Sequence, residues 1–155
     1  MTQYYPKVLS DSYATSLYQT LILNVQWEDG VKTRYGGFTR KAKPINPLDK
    51  DLITYIVIQD ISKVFEKLGI HQVFLVGVYI NYYRDGNDYT PVHSHPNMKQ
   101  LVLSLGAPRT LTMGNDSYTM ENGDVIIFGS QKHGVPKDKS CKEGRISIAL
   151  FMLDK

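Results

Sequence analysis

The chain has 155 residues, 42% of them hydrophobic and 21% charged, with a formal net charge of +3 at pH 7. That size and balance fit one folded domain with a real core and exclude a disordered, fibrous or two-domain chain. No apolar run approaches the roughly 20 residues that span a bilayer. The N-terminus lacks a basic segment followed by an apolar one, and the lone Cys141 closes no internal disulfide. An intracellular protein, cytoplasmic or nuclear and without a membrane partner, is therefore expected.

In chain order, Asp11 or Ser12 is placed to cap a first helix. It carries Leu17 and Leu21 at i, i+4 spacing and ends before Trp27 and the Glu28-Asp29-Gly30 turn. Lys32, Arg34, Arg40, Lys41 and Lys43 follow in a stretch without acids that also holds Tyr35 and Phe38. Basic groups interleaved with aromatics suit a nucleic-acid surface, and equally a solvated loop. Pro47-Leu48-Asp49 opens a second helix, in which Leu52, Ile56, Ile61, Val64 and Phe65 recur at helical spacing and Gly69 provides the end. From Gln72 the pattern turns to β-branched and aromatic runs: 73–83, 90–95, 100–105, 110–113, 117–120, 125–129 and 145–152. Turns fall at Asp85 to Asp88, Gly114 to Asp116 and Glu121 to Asp124. These elements predict a mainly β (α+β) domain, a jelly roll with the two helices of the N-terminal half packed outside.

The chain has four histidines, and His93, His95 and His133 fall in the strand region, with His71 at its start read as structural. On one strand His93 and His95 share a face and suit a single metal ion, with His133 expected at the rim of the same pocket. Arg145 alternates with Ser147 and Ala149 against Ile146, Ile148 and Leu150, so it is expected to face a cavity, where a buried guanidinium takes a carboxylate. Asn81 and Tyr83 share a face of the strand ending near Gly86 and offer an amide and a phenol.

Several motifs then occur in a fixed order. They are Asn81-x-Tyr83 with Gly86, His93-x-His95, Ser104-Leu105-Gly106-Ala107-x-Arg109, Gly123-Asp124-Val125, His133-Gly134-Val135-Pro136 and Arg145. This ordered set resembles the AlkB-like family of iron(II)- and 2-oxoglutarate-dependent dioxygenases. The resemblance implies a single domain over 1–155, with a double-stranded β-helix core over 72–153 and a substrate lid within 1–45. It implies iron(II) at a catalytic centre of His93, His95 and His133, and 2-oxoglutarate held by Arg145, Asn81, Tyr83 and Ser147. It further implies consumption of dioxygen and oxidative dealkylation of nucleic-acid bases, DNA or RNA, gripped by Arg34, Tyr35, Phe38 and Arg40, in a protein expected as a monomer. The family has an aspartate where His95 stands, and a second arginine where Phe151 stands. Three neutral imidazoles shift preference toward zinc, nickel or copper. The rival readings are a cupin-type metalloenzyme, in which Gln100 follows the His-x-His pair, and a non-catalytic AlkB-like nucleic-acid-binding relative.

Overall fold

The computed structural model describes residues 2–34 and 36–153. Helix α1 (Asp11–Asn24) is capped one residue earlier than the sequence suggests: Ser10 Oγ accepts from the Tyr13 N–H at 3.3 Å. Its buried stripe is Ala14, Leu17 and Leu21, at the i, i+3, i+7 positions of one face. Helix α2 (Leu52–Leu68) starts later than Pro47-Leu48-Asp49, because Asp51 supplies the cap by accepting from the Thr54 N–H. Gly69 ends it at φ +69°, and the Ile70 N–H reaches back to the Phe65 carbonyl, a conformation cheap only for glycine. Among the described residues no helix is long and apolar enough to cross a membrane.

Among the described residues eleven strands form two antiparallel sheets. The larger has seven, in the order β1 (Gln3–Tyr5), β9 (Val125–Phe128), β6 (Lys99–Gly106), β11 (Arg145–Leu153), β4 (Phe74–Tyr83), β3 (Lys41–Ile45) and β2 (Glu28–Asp29). The smaller has four, β5 (Thr90–His93), β10 (His133–Val135), β7 (Arg109–Met113) and β8 (Asp116–Met120). The expected jelly roll is present, a double-stranded β-helix with both helices on one face of the larger sheet. Strands β1, β2, β3 and β10 were not legible in the sequence. Of the 1–45 segment expected as a lid, β1 and α1 belong to the core, and Gly30, Val31, Arg40 and Ala42 reach the cavity.

Period-2 alternation divides the larger sheet into two environments. Ile146, Ile148, Leu150 and Met152, with Leu101, Leu103, Leu105, Val78 and Ile80, pack under the helices in one apolar cluster. Their neighbours Arg145, Ser147, Ala149, Phe151, Gln100, Val102, Asn81 and Tyr83 line a cavity between the two sheets. The apolar face holds the fold, which leaves the opposite face available for polar groups.

Candidate metal centre and anion pocket

The cavity holds about 860 Å³. At one end stand the three histidines, with one ligand atom from each lying within 4.8 Å of the others. His133 and His93 are register partners across β10 and β5, and their ring centroids are 4.4 Å apart. The intervening strand spacing depends on Gly134: a Cβ there would meet the Thr90 carbonyl oxygen at 2.8 Å, so only glycine lets β10 approach β5 this closely. Two expectations are corrected here. Strand β5 ends at His93, so His95 joins from the connection that follows rather than by strand parity, with its ring 4.8 Å from that of His93. His133 is not at a rim; it lies on a strand and is 5% exposed.

Two imidazoles have a fixed tautomer. His93 Nδ1 lies 2.8 Å from the Pro91 carbonyl and His133 Nδ1 lies 2.9 Å from the Gln131 carbonyl. A carbonyl only accepts, so each Nδ1 carries the proton and each Nε2 keeps its lone pair for a metal. Phe128 packs on His133 at 4.6 Å and Phe151 on His95 at 4.9 Å, between ring centroids. Burial holds the His133 imidazole down at about 4, helped by His93 and His95 and opposed by the Gln131 bond. The His95 imidazole is also lowered, by burial first and His93 second.

This gives a pH dependence for the metal-free protein. The unfolded chain takes up a proton at His133 near pH 6.5, while the folded chain resists it down to about 4. Between those values the unfolded state binds more protons, so stability falls as pH falls. Urea unfolding at pH 7 and pH 5 is expected to differ by roughly 1–2 kcal/mol, and His133→Phe is expected to flatten the profile. A metal-free wild type equally stable at both values would contradict the burial of a neutral His133.

At the other end is Arg145, 1% exposed. Its Nε donates to Ser104 Oγ at 2.8 Å, whereas its Nη1 is buried without a partner. Its guanidinium carbon lies 5.2 Å from the Tyr83 ring centroid, and burial pushes its pKa below the ordinary arginine range. No acidic residue lines the cavity among the described residues. A second buried arginine, Arg109, is committed elsewhere: it donates to the carbonyls of Asp85, Asp88 and Pro136 at 2.8–3.1 Å and joins two loops. Asn81 Oδ1 accepts from Arg40 Nε at 3.0 Å and its Nδ2 donates to Ser147 Oγ at 3.4 Å. The Tyr83 hydroxyl shares a 2.7 Å bond with Thr90 Oγ1.

The remaining candidates separate. Arg40 lines the cavity, with Nη1 on Thr39 Oγ1. Arg34 and Phe38 are exposed and do not line it, and Tyr35 lies outside the described residues. Lys41 and Lys43 do not form a cationic surface, because each is ion-paired across the β2–β3 ladder, to Asp29 and Glu28 respectively. Sequence reasoning missed Ser104, Phe128 and Phe151 as site residues. Phe151 shares the period-2 face of Arg145, a signal that was available.

No family model matches the chain, and no curated protein matches it in sequence. Solved structures do match in fold. A prolyl hydroxylase from Trichoplax adhaerens, in complex with a peptide fragment of the hypoxia inducible factor oxygen degradation domain, is 14% identical with a TM-score of 0.66, covering 99% of this chain and 83% of its own. The non-heme alpha ketoglutarate dependent epimerase SnoN of nogalamycin biosynthesis is 14% identical with a TM-score of 0.71, covering 99% and 77%. An oxidoreductase of the 2OG-Fe(II) oxygenase family from Burkholderia pseudomallei is 13% identical with a TM-score of 0.70, covering 98% and 84%.

Proposed function

We propose that this chain is an iron(II)- and 2-oxoglutarate-dependent oxygenase. The observation that carries the reading is the pairing, in one cavity, of three convergent imidazoles with a buried arginine whose Nη1 has no partner. Both ends fit what they would hold. Two imidazoles keep an Nε2 lone pair free for a metal, and a guanidinium with an unmet Nη1 beside a hydroxyl and a phenol suits a carboxylate. When bound, iron(II) and 2-oxoglutarate supply oxidation of a substrate C–H to C–OH, as dioxygen and 2-oxoglutarate become succinate and carbon dioxide, with one oxygen atom of O2 in each oxidised product.

The chain's own residues supply the positioning. Arg145 neutralises the far carboxylate, and Ser104 and Tyr83 hold the guanidinium in place. Asn81 and Ser147 present an amide and a hydroxyl along the same wall. Phe128 and Phe151 cover the imidazoles and keep water from them. The solved structures that share the fold include one in complex with a peptide fragment and one from nogalamycin biosynthesis. Dealkylation of nucleic acid, the AlkB-like version, has weaker support: Lys32 and Arg34 are exposed, while Lys41, Lys43 and Arg40 are engaged within the chain. A cupin-type centre leaves the unmet guanidinium unexplained.

The test is anaerobic titration of the protein with iron(II) and then 2-oxoglutarate, following the metal-to-cosubstrate charge-transfer absorption. The band is expected only when both are present. Tight metal binding with no band and no calorimetric signal from 2-oxoglutarate would overturn the reading.

A further inference from the structure

One polar group in the cavity contacts neither the histidine cluster nor Arg145 through a hydrogen bond. Gln100, at the second position of β6, is 2% exposed and lines the cavity, and its side-chain Nε2 is buried without a hydrogen-bond partner. Leaving a buried amide donor unmet is costly, and an apolar side chain of similar size avoids that cost. A partner supplied by a ligand resolves the conflict.

Sheet register says where that ligand is. Gln100 stands opposite Phe128 on β9 and opposite Phe151 on β11. Those two rings pack on His133 and His95 respectively. The amide therefore sits in an apolar corner at the histidine end of the cavity. Ser104, the residue that holds Arg145, is on the same face of β6 four residues further on, roughly 13 Å along the strand. Gln100 and Arg145 thus serve opposite ends of whatever lies between them.

We infer that Gln100 is a further positioning residue of this site, its amide donating to the carboxylate at the keto-acid end of 2-oxoglutarate. The inference rests on the oxygenase reading. A keto acid that chelates a metal uses one carboxylate oxygen and the keto oxygen, and the second carboxylate oxygen keeps lone pairs for a donor. In the apolar corner formed by Phe128 and Phe151, such a bond to an anion is worth more than a bond made in water.

The experiment compares wild type, Gln100→Leu and Gln100→Glu, each loaded with redox-inert nickel(II). Calorimetry measures 2-oxoglutarate affinity and, separately, nickel(II) affinity, and thermal unfolding is followed for the metal-free proteins. Gln100→Leu is expected to weaken 2-oxoglutarate roughly ten- to hundredfold, to leave nickel(II) affinity unchanged, and to leave the metal-free unfolding temperature equal or higher. Gln100→Glu keeps the size but replaces the donor with a carboxylate and is expected to lose at least as much affinity. Equal 2-oxoglutarate affinity in wild type and Gln100→Leu overturns the inference alone. A fall in nickel(II) affinity overturns it in favour of a metal ligand, and a lower unfolding temperature in favour of a structural amide. Failure of the nickel(II)-loaded wild type to bind 2-oxoglutarate overturns the oxygenase reading and this inference together.

Discussion

Arg145→Met is expected to abolish measurable 2-oxoglutarate binding while making the metal-free protein more stable. The affinity loss follows from removing a charged, two-pronged donor: each hydrogen bond to a charged group is worth roughly 1.5–3 kcal/mol, so two together give a hundredfold loss or more. The stability gain follows from the guanidinium's surroundings. It is 1% exposed, no acidic residue lines its cavity among the described residues, and Nη1 is unmet. Replacing an uncompensated buried charge with an apolar chain of similar length removes a desolvation cost, and the loss of the Ser104 bond offsets part of the gain. Nickel(II) affinity is expected to stay constant, since the histidines stand at the far end of the cavity. Arg109→Met is the control. Arg109 is equally buried, but its guanidinium donates to three backbone carbonyls from two loops. Its loss removes a donor from each of those carbonyls, of which only that of Asp85 also accepts from a backbone N–H, that of Asp88, and should lower the unfolding temperature by several degrees. Calorimetry with 2-oxoglutarate and thermal unfolding of both variants decide the matter. An Arg145→Met protein that binds 2-oxoglutarate like wild type, or unfolds as early as Arg109→Met, would assign Arg145 a structural role.

That contrast also marks where sequence reading ends. Arg145 was legible because an arginine sharing one strand face with Ser147 and Ala149, opposite three aliphatics, has few uses besides a cavity. Arg109 begins its strand with the same residue type, and nothing local shows that its partners are carbonyls of loops contributed from residues 85–88 and 136. The histidines were legible as a set but for an incomplete reason, since His95 arrives from beyond the strand and His133 from a three-residue strand too short for any periodic signal. Strand β3 was hidden by composition: Lys41-Ala42-Lys43-Pro44 reads as a charged loop, and becomes a strand because its backbone pairs with β4 along its whole length, while Glu28 and Asp29 on β2 match its lysines. Gln100 was legible only as the residue that follows the His-x-His pair in the cupin reading. Its significance depends on register, which places two distant phenylalanines beside it and each of those on a histidine. A chain read alone carries strand parity but not the alignment of one strand with the next.

His133→Ala is expected to remove high-affinity metal binding, and His95→Asp to keep it while changing which metal is preferred. His133 is the most constrained of the three histidines: it is 5% exposed, its Nδ1 is held by the Gln131 carbonyl, and its ring lies against Phe128. Losing a partner of a ligand costs roughly 10–100-fold in metal affinity, so losing the ligand itself should exceed a hundredfold. The alanine also leaves a space beside Phe128 that no neighbouring ligand fills, so rescue by rearrangement is not expected. His95 differs in setting, being half-buried, outside the strand, and in contact with Phe151 at its edge. An aspartate there is shorter, and it would add one negative charge beside a metal that the three imidazoles would hold through neutral nitrogen alone. Oxygen donors suit harder metals and nitrogen donors suit zinc, nickel and copper, so His95→Asp should narrow the affinity gap between iron(II) and zinc(II). Competition between the two ions under anaerobic conditions, with metal content measured after exchange, reads both variants. Wild-type affinity in His133→Ala would remove His133 from the metal, and absence of iron(II) binding in His95→Asp would mean that position 95 meets the ion only through an imidazole's length.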